Sequence, residues 1–403
     1  MSPSPQIVRM TLMTSNSQPT GSDEKMEKLD PGNPGKEITE LDVRIFKEIT
    51  DLAITTQQKA RVATPTRVFP SQKFVMAVHW HPEHIPMEII RQRIDNTFPG
   101  KQDELIIPTQ HNRLMSYDGQ YSGVEVDCYS RGFKRKVQLL LHFKTDKLER
   151  ADTLKLILNH TFKYRSSQVF ELMETLINPK WDDYLQLAAE GTGVNEKVVN
   201  FARIHAGKLR EQLRQNQSAV SAEIIKNRLV SDYIEAQRAL FPDNFINKVQ
   251  VFVKHVKKIV KDNFSLNYFY RTSEVIEEAR SLGGGIVVPH PEQFWPILLC
   301  DYDVDGYEVW NPQSQEYTEF LINVINRQNK SMRFGNKKLL LFMGDDTHLS
   351  EKIKDPTHIE ASKYYRDIGV QPAWEDLSIK QSLIMGDFSP EKMIKHYRDR
   401  LNG

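Results

Sequence analysis

Six of the chain's 12 histidines stand where apolar, strand-like runs come to an end. His79 and His81 end VMAVHWH, His111 closes LIIPTQH, His142 closes VQLLLH, His290 closes IVVPH, and His348 closes LLLFMGDDTH. Glu125 and Asp346 put carboxylates in the same kind of place. Side chains two apart on a strand point the same way, so the His79-Trp80-His81 pair is set up to chelate. Where parallel strands converge at their carboxyl ends, residues far apart in sequence share one pocket. Neutral imidazole with carboxylate suits Zn, Mn or Fe, whereas an all-oxygen set would favour Mg or Ca. Such an ion brings the pKa of water towards neutrality and polarises a phosphoryl oxygen, so hydrolysis needs no protein nucleophile. Each signal has a plainer explanation: His290 before Pro291 suits a hydrogen-bonded strand-end histidine, and Gly344 to His348 suits a polar turn. The coincidence of six such histidines at strand ends points to a metal site.

The elements that must hold these residues fall into two blocks. The first has four expected strands, Phe74 to Trp80, Glu104 to Pro108, Gly123 to Cys128 and Val137 to Phe143. The second has three, Gly285 to Pro289, Tyr307 to Trp310 and Leu339 to Met343. Runs such as GIVV and LLLFM are apolar throughout, as strands buried on both faces of a parallel sheet are. Helical spacing of Ile89, Ile90, Ile94 and Phe98 follows the first strand, and Phe320, Leu321, Val324 and Ile325 lie between the sixth and seventh. Seven strands with intervening helices predict an α/β fold of closed or nearly closed barrel type. Between the blocks the periodicity is helical, over Leu154 to Leu158, Val169 to Ile177, Val198 to Leu213, Ile224 to Leu240 and Phe245 to Val260. That stretch is too long for a simple crossover, so residues 147–282 read as a helical insertion. It separates the first part of the barrel, 37–146, from the second, 283–360. The remaining 361–403 form a helical segment in which Ser389 caps a helix that starts at Pro390.

Composition narrows the function classes. Hydrophobic residues make up 39% and charged residues 27%, with no apolar run long enough to span a bilayer, so a soluble protein without a membrane partner is expected. A net charge of +1 gives no global field for nucleic acid, and only a local basic patch would bring one in. The two cysteines, Cys128 and Cys300, form no CxxC pair, so a reducing, cytoplasmic setting fits better than a disulfide framework. Residues 1–36 are rich in Ser, Pro, Gly, Asn and Asp and lack a basic head with an apolar stretch. They read as a disordered tail rather than a secretory signal, and Met10, Met13 and Met26 are further candidate starts.

Several short segments together resemble the PHP (polymerase and histidinol phosphatase) superfamily. His79-Trp80-His81 is similar to its opening HxH, PTQHN around His111 to its TDH element, and SGVEV around Glu125 to its PGVEI element. GGGIVVPHP around His290 resembles the GG-apolar-AHP motif, DGYEVWN from Asp305 to Asn311 the DGIEVYN that follows it, and GDDTH a GSDAH-type ending. The resemblance covers about a third of the chain, from Phe74 to Phe143 and Leu282 to His348, and leaves out the insertion and both termini. It implies a distorted (β/α)7 barrel with up to three metals at the carboxyl ends of the strands, and a phosphoester hydrolase. Carried over residue by residue, His79, His81, Glu125 and Asp346 would hold one ion, with Glu125 bridging to a second completed by His142 and His290. His111 and His348 would bind a third. The family's histidine on the fourth strand aligns with either His142 or Gln138. Pro86 stands where the family has another ligand, with Glu83 and His84 nearer. Gln110 replaces the Asp of TDH and Asp345 a small Ser, so a two-metal site is the alternative.

Among other features, Lys254, Lys257, Lys258 and Lys261 read as the solvated face of an amphipathic helix. Arg113, Arg131, Lys134, Arg135 and Lys136 are surface charges or, failing that, phosphate contacts. His205 reads as a helical surface or packing residue. The leading function is hydrolysis of a small phosphorylated substrate or nucleotide by metal-activated water, with Glu125 and Asp346 the key carboxylates. A metal-dependent amidohydrolase and a non-catalytic metal-binding interaction protein are the rivals. Fold alone does not separate them, and the oligomeric state is not legible.

Overall fold

The computed structural model describes residues 28–32, 34–331, 337–354 and 360–403, so residues 1–27, most of the expected tail, lie outside the described residues. Each of the seven expected runs forms a strand: β1 (Phe74–Ala77), β3 (Asp103–Ile106), β5 (Tyr121–Ser130), β6 (Arg135–Lys144), β7 (Gly285–Val288), β8 (Gly306–Trp310) and β9 (Leu340–Met343). Three two-residue strands complete the set: β2 (Trp80–His81), β4 (Met115–Ser116) and β10 (Thr347–His348).

The architecture is mixed α/β, but the ladders do not form one continuous closed barrel, and not all of them are parallel. β1 pairs with β3, β10 pairs with β2, and a six-stranded sheet runs β4-β5-β6-β7-β8-β9. Within it β4, β5, β6 and β7 pair antiparallel, and only β7-β8-β9 are parallel. For β5 and β6 the reason is the short link from Ser130 to Arg135, where Lys134 takes φ 51°. A parallel neighbour needs a crossover of about a dozen residues, so this link allows only a hairpin.

Side chains and single bridges span the breaks between sheets. The buried Gln371 amide donates to Met76 O at 2.7 Å and Met343 O at 2.6 Å, tying β1 to β9, while its oxygen accepts from Trp374 Nε1 at 2.9 Å. On the other side an isolated parallel bridge joins His111 to Glu125 of β5. Close approach there requires glycine at Gly123, because a Cβ would strike Pro108 O.

The sheet is buried against the helices Thr272–Ser281, Thr318–Ser331 and Pro390–Asn402, with Leu139, Leu141, Val287, Leu341, Ile322 and Tyr397 in one core. Ser389 accepts from Lys392 N and Pro390 opens the last helix, as its sequence predicts. A second core lies in the helical stretch, among helices Asp152–Ile177, Glu196–Gln215, Arg228–Ala236 and Asp243–Asn263. Helix Asp152–Ile177 is continuous where the periodicity gave two pieces, and the helix expected from Ile224 starts only at Arg228. Helix Glu40–Thr50, assigned to the barrel from sequence, instead puts Ile45 and Phe46 into this second core. A buried ion pair fixes it there, Lys208 Nζ to Asp42 Oδ2 at 2.8 Å. Among the described residues no helix is long and apolar enough to cross a membrane.

Candidate metal centre

Strand ends deliver the expected residues to one place. His79 follows β1 and His81 ends β2, whose parallel pairing with β10 sets His348 opposite His81. The bridge to β5 does the same for His111 and Glu125. His290 follows β7 and Asp346 follows β9, both at positive φ, 30° and 45°. Glu83 and Asn112 beside them also have positive φ, 55° and 53°. Non-glycine residues rarely hold this conformation, and it is kept where surrounding structure over-determines it, commonly at functional sites.

The result is a compact group of five imidazoles and two carboxylates. Ligand atoms within 4.8 Å of one another form three overlapping sets: His81, His111 and His348; His79, Glu125 and His290; His79, His81 and Asp346. Glu125 sits between them, its Oε2 at 2.6 Å from His111 Nδ1 and 3.5 Å from His81 Nε2, and its Oε1 at 3.9 Å from His290 Nε2. Asp346 Oδ1 lies 3.7 Å from His79 Nε2 and 3.5 Å from the Nε2 atoms of His81 and His348. Rings of His81 and His111 stack at 4.3 Å, and those of His81 and His348 at 4.2 Å.

These contacts leave polar atoms unsatisfied. Both ring nitrogens of His81 and Nδ1 of His290 are buried without a hydrogen-bond partner. Unpaired buried polar atoms cost about 1–3 kcal/mol each, and so many in one spot call for a cation. The donor set, imidazole nitrogen with carboxylate oxygen, fits Zn, Mn or Fe.

Electrostatics agree. Burial opposes charge on Glu125 and Asp346, yet the surrounding imidazoles hold both carboxyls well below the usual range. Burial, with His348 and His111 nearby, pulls His81 down to about 3, which leaves it neutral and able to ligate. For His79 and His348 the adjoining carboxylates overcome burial and raise the rings to about 10 and about 9. Protons on those two rings balance the carboxylates here, a role that bound cations take over.

Of the eight expected ligands, His142 does not join. It is fully buried, with Nδ1 at 2.6 Å from Tyr397 OH and Nε2 at 2.9 Å from Val78 O, so both nitrogens are engaged elsewhere. The alternative, Gln138, lines a cavity that opens on His111. His205 packs in the second core, stacked on Phe201 at 4.0 Å.

Four residues support the centre, of which sequence reasoning singled out only Glu83, beside the place of the family's further ligand. Glu308 on β8 places Oε2 at 2.5 Å from His79 Nδ1, orienting Nε2 towards the centre, and Oε1 accepts from Asn311 Nδ2 at 3.0 Å. Gly344 follows from this, since a Cβ would collide with the Glu308 carboxylate. Gln313 Nε2 and Arg366 Nη1 donate to Asp346 Oδ2 at 2.7 and 3.0 Å. Glu83 lies 3.4 Å from His348 Nδ1 and accepts from Ser350 N at 2.8 Å. The DGYEVWN motif was the available signal for Glu308; Gln313 and Arg366 carried none.

No model of a known protein family matches the chain, and no curated protein matches it. Among solved structures it is similar to a protein of Bifidobacterium adolescentis provisionally named a metal-dependent phosphoesterase. The identity is 15%, covering 79% of this chain and 97% of the other, at a TM-score of 0.40, so the functional reading rests on the site's own chemistry.

Proposed function

We propose that the chain is a metal-dependent phosphoesterase of the PHP type, hydrolysing a small phosphorylated substrate or nucleotide, with two or three Zn, Mn or Fe ions in a variant of that superfamily's (β/α)7 arrangement. The observation that carries the reading is the convergence of His79, His81, His111, His290, His348, Glu125 and Asp346 with buried, unpartnered ligand atoms among them. His79, His81 and Asp346 would hold one ion, His290 and Glu125 a second, and His111 and His348 a third, Glu125 lying between the groups. Bound divalent ions supply Lewis acidity and acidify water. The chain's own residues fix the donors: Glu308 sets the His79 ring, Gln313 and Arg366 turn Asp346 Oδ1 inwards, and Glu83 holds His348.

Phosphate esters are favoured over amides by what surrounds the centre. The cavity at His111 is lined by Lys136, Arg165, Lys226, Arg228 and Lys261 against Asp127, the one acidic group lining it among the described residues. A neutral amide has no use for that excess, whereas a phosphate ester does. Elemental analysis of protein purified without chelator should find two or three transition-metal ions per chain. Addition of Mn or Zn should then support hydrolysis within a panel of phosphomonoesters. Fewer than one equivalent after reconstitution, or no phosphoesterase activity with full occupancy, would defeat the reading.

A further inference from the structure

The cavity beside His111, about 490 Å³, lies between strands β5 and β6 and the helices that follow β6. Its volume suits a small metabolite. One wall carries Lys136 and Gln138 of β6; the other carries Arg165 of helix Asp152–Ile177, Lys226, Arg228 and Lys261 of helix Asp243–Asn263.

Not all of these cations are neutralised. Lys136 is paired with Asp127, which also accepts from Asn112 Nδ2 at 2.8 Å, so that pair is satisfied internally. Arg228 reaches Asp232 Oδ2 at 3.3 Å and Glu351 Oε1 at 3.4 Å, and Lys226 lies 3.8 Å from Glu83 Oε1. The side chains of Arg165 and Lys261 have no hydrogen-bond or ion-pair partner among the described residues. Burial, joined by the charges of Arg165 and Arg228, pulls the Lys226 ammonium below its ordinary value. Like charges gathered on one wall at the edge of low-dielectric protein repel, and the arrangement is relieved when an anion enters.

We infer that this wall is an anion subsite, distinct from the metal centre, in which Arg165, Lys226 and Lys261 bind a second, phosphate-type group of the substrate while its scissile phosphate lies at the histidines. The assignment rests on the phosphoesterase reading for its substrate half, whereas the anion site itself stands on the cations. Arg165 offers a planar fork suited to two phosphate oxygens, and the two lysines offer point charges around it. Phe294, packed 5.8 Å from His290 by ring centroids, and Tyr164 give the same cavity aromatic walls for the organic body of such a substrate. The preferred substrate class is therefore a phosphate ester whose remainder carries another phosphate, rather than an uncharged alcohol.

Inorganic pyrophosphate is titrated by calorimetry into the full chain as purified, for the parent, Lys261→Gln, Arg165→Gln/Lys261→Gln, and Lys254→Gln as a control on the same helix. Metal content and circular dichroism are measured for each. Pyrophosphate should bind the parent and bind the double variant at least tenfold more weakly at unchanged metal content, with the control equal to the parent. Because Lys261 is exposed, its single variant tests the site even if the double variant does not fold, with an expected loss of about threefold or more. Equal binding by parent and variants would overturn the subsite, and so would no binding to the parent. In a second arm, the ratio of kcat/KM for an aryl ester bearing a second phosphate to that for an aryl monophosphate should fall at least tenfold in the double variant. A constant ratio would overturn the assignment of the wall to substrate. Failure of the parent to hydrolyse either ester would defeat the phosphoesterase reading and the substrate half with it, leaving the anion site to the calorimetric result. Competition by free phosphate against the bisphosphorylated ester, lost in the variants, separates an anion from solution from one carried by the substrate.

Discussion

Arg366 holds Asp346 twice, its Nη1 donating to Oδ2 at 3.0 Å and to the backbone carbonyl at 3.2 Å. The second contact matters because Asp346 is at φ 45°, a backbone shape it would not keep by itself. Arg366 belongs to a strap that is pinned residue by residue. Lys352 Nζ donates to Arg366 O at 2.5 Å, Arg93 makes a two-pronged pair with Asp367 at 2.6 and 2.7 Å, and Gly369 N donates to Asp345 Oδ2 at 2.9 Å. Through this strap a segment after the last strand sets the direction of a ligand carboxylate.

Arg366→Met should therefore weaken metal binding by about tenfold to a hundredfold while leaving secondary structure in place, the scale seen for outer-shell partners of metal ligands. Titration of chelator-treated protein with Mn or Zn, with circular dichroism alongside, measures this. Parent-like affinity would mean that Gln313 suffices to orient Asp346.

Direct ligands should respond more strongly. Glu125→Gln and Asp346→Asn are nearly isosteric but remove the charge that offsets divalent ions among neutral imidazoles. Each should lose at least one metal equivalent and reduce phosphoesterase activity by a hundredfold or more, with an unchanged dichroism spectrum. His205→Leu, in the second core, should keep full metal content. Full activity in Glu125→Gln would remove Glu125 from its place between the metal groups.

Most of the centre was legible because its residues end apolar runs, and strand ends are where an α/β sheet gathers side chains. His79, His81, His111, Glu125, His290, Asp346 and His348 all meet. His142 ends an equally apolar run, but β6 is antiparallel to its neighbours, so the end of that strand lies away from where the parallel strands end. Direction is a property of pairing, and hydrophobic pattern alone does not encode it. Arg366 and Gln313 escaped for a different reason: each acts through a partner distant in sequence, and lone Arg and Gln residues carry no pattern. The helical cores were legible as helices, but the docking of helix Glu40–Thr50 rests on Ile45 and Phe46 in the second core and on Asp42 bonding to Lys208 and Tyr233, partners far away in sequence.

His142 gives a direct contrast with the true cluster. His142→Gln should leave metal stoichiometry and activity close to the parent, because neither nitrogen faces the centre. It should lower stability by about 1–3 kcal/mol, since Tyr397 OH and Val78 O are buried groups that lose or strain their partner. Urea denaturation with metal analysis separates the two effects. Loss of one metal equivalent would restore His142 to the ligand set.

His205 adds to the acid sensitivity of the helical unit. Burial holds its ring down to about 4, against an ordinary 6.5, with Nδ1 at 2.9 Å from Phe201 O and the ring stacked on Phe201. The folded state thus keeps His205 neutral, and below pH 6.5 the unfolded chain takes up the proton that the folded chain refuses. Stability rises with pH wherever the unfolded state binds more protons, so His205 costs nothing above about pH 7 and progressively more as pH falls towards 4. A shift of this size corresponds to about 3 kcal/mol in all. His205→Leu removes the proton site while keeping an apolar side chain against Phe201. Other acid-sensitive groups are common to both proteins, so the difference between them isolates His205. Urea midpoints compared at pH 7 and pH 5 should show the parent losing more stability on acidification than the variant, by about 1–2 kcal/mol. Parallel losses in the two proteins would mean that His205 is protonated at its ordinary pKa in the folded chain, and that the packing against Phe201 opens readily to water.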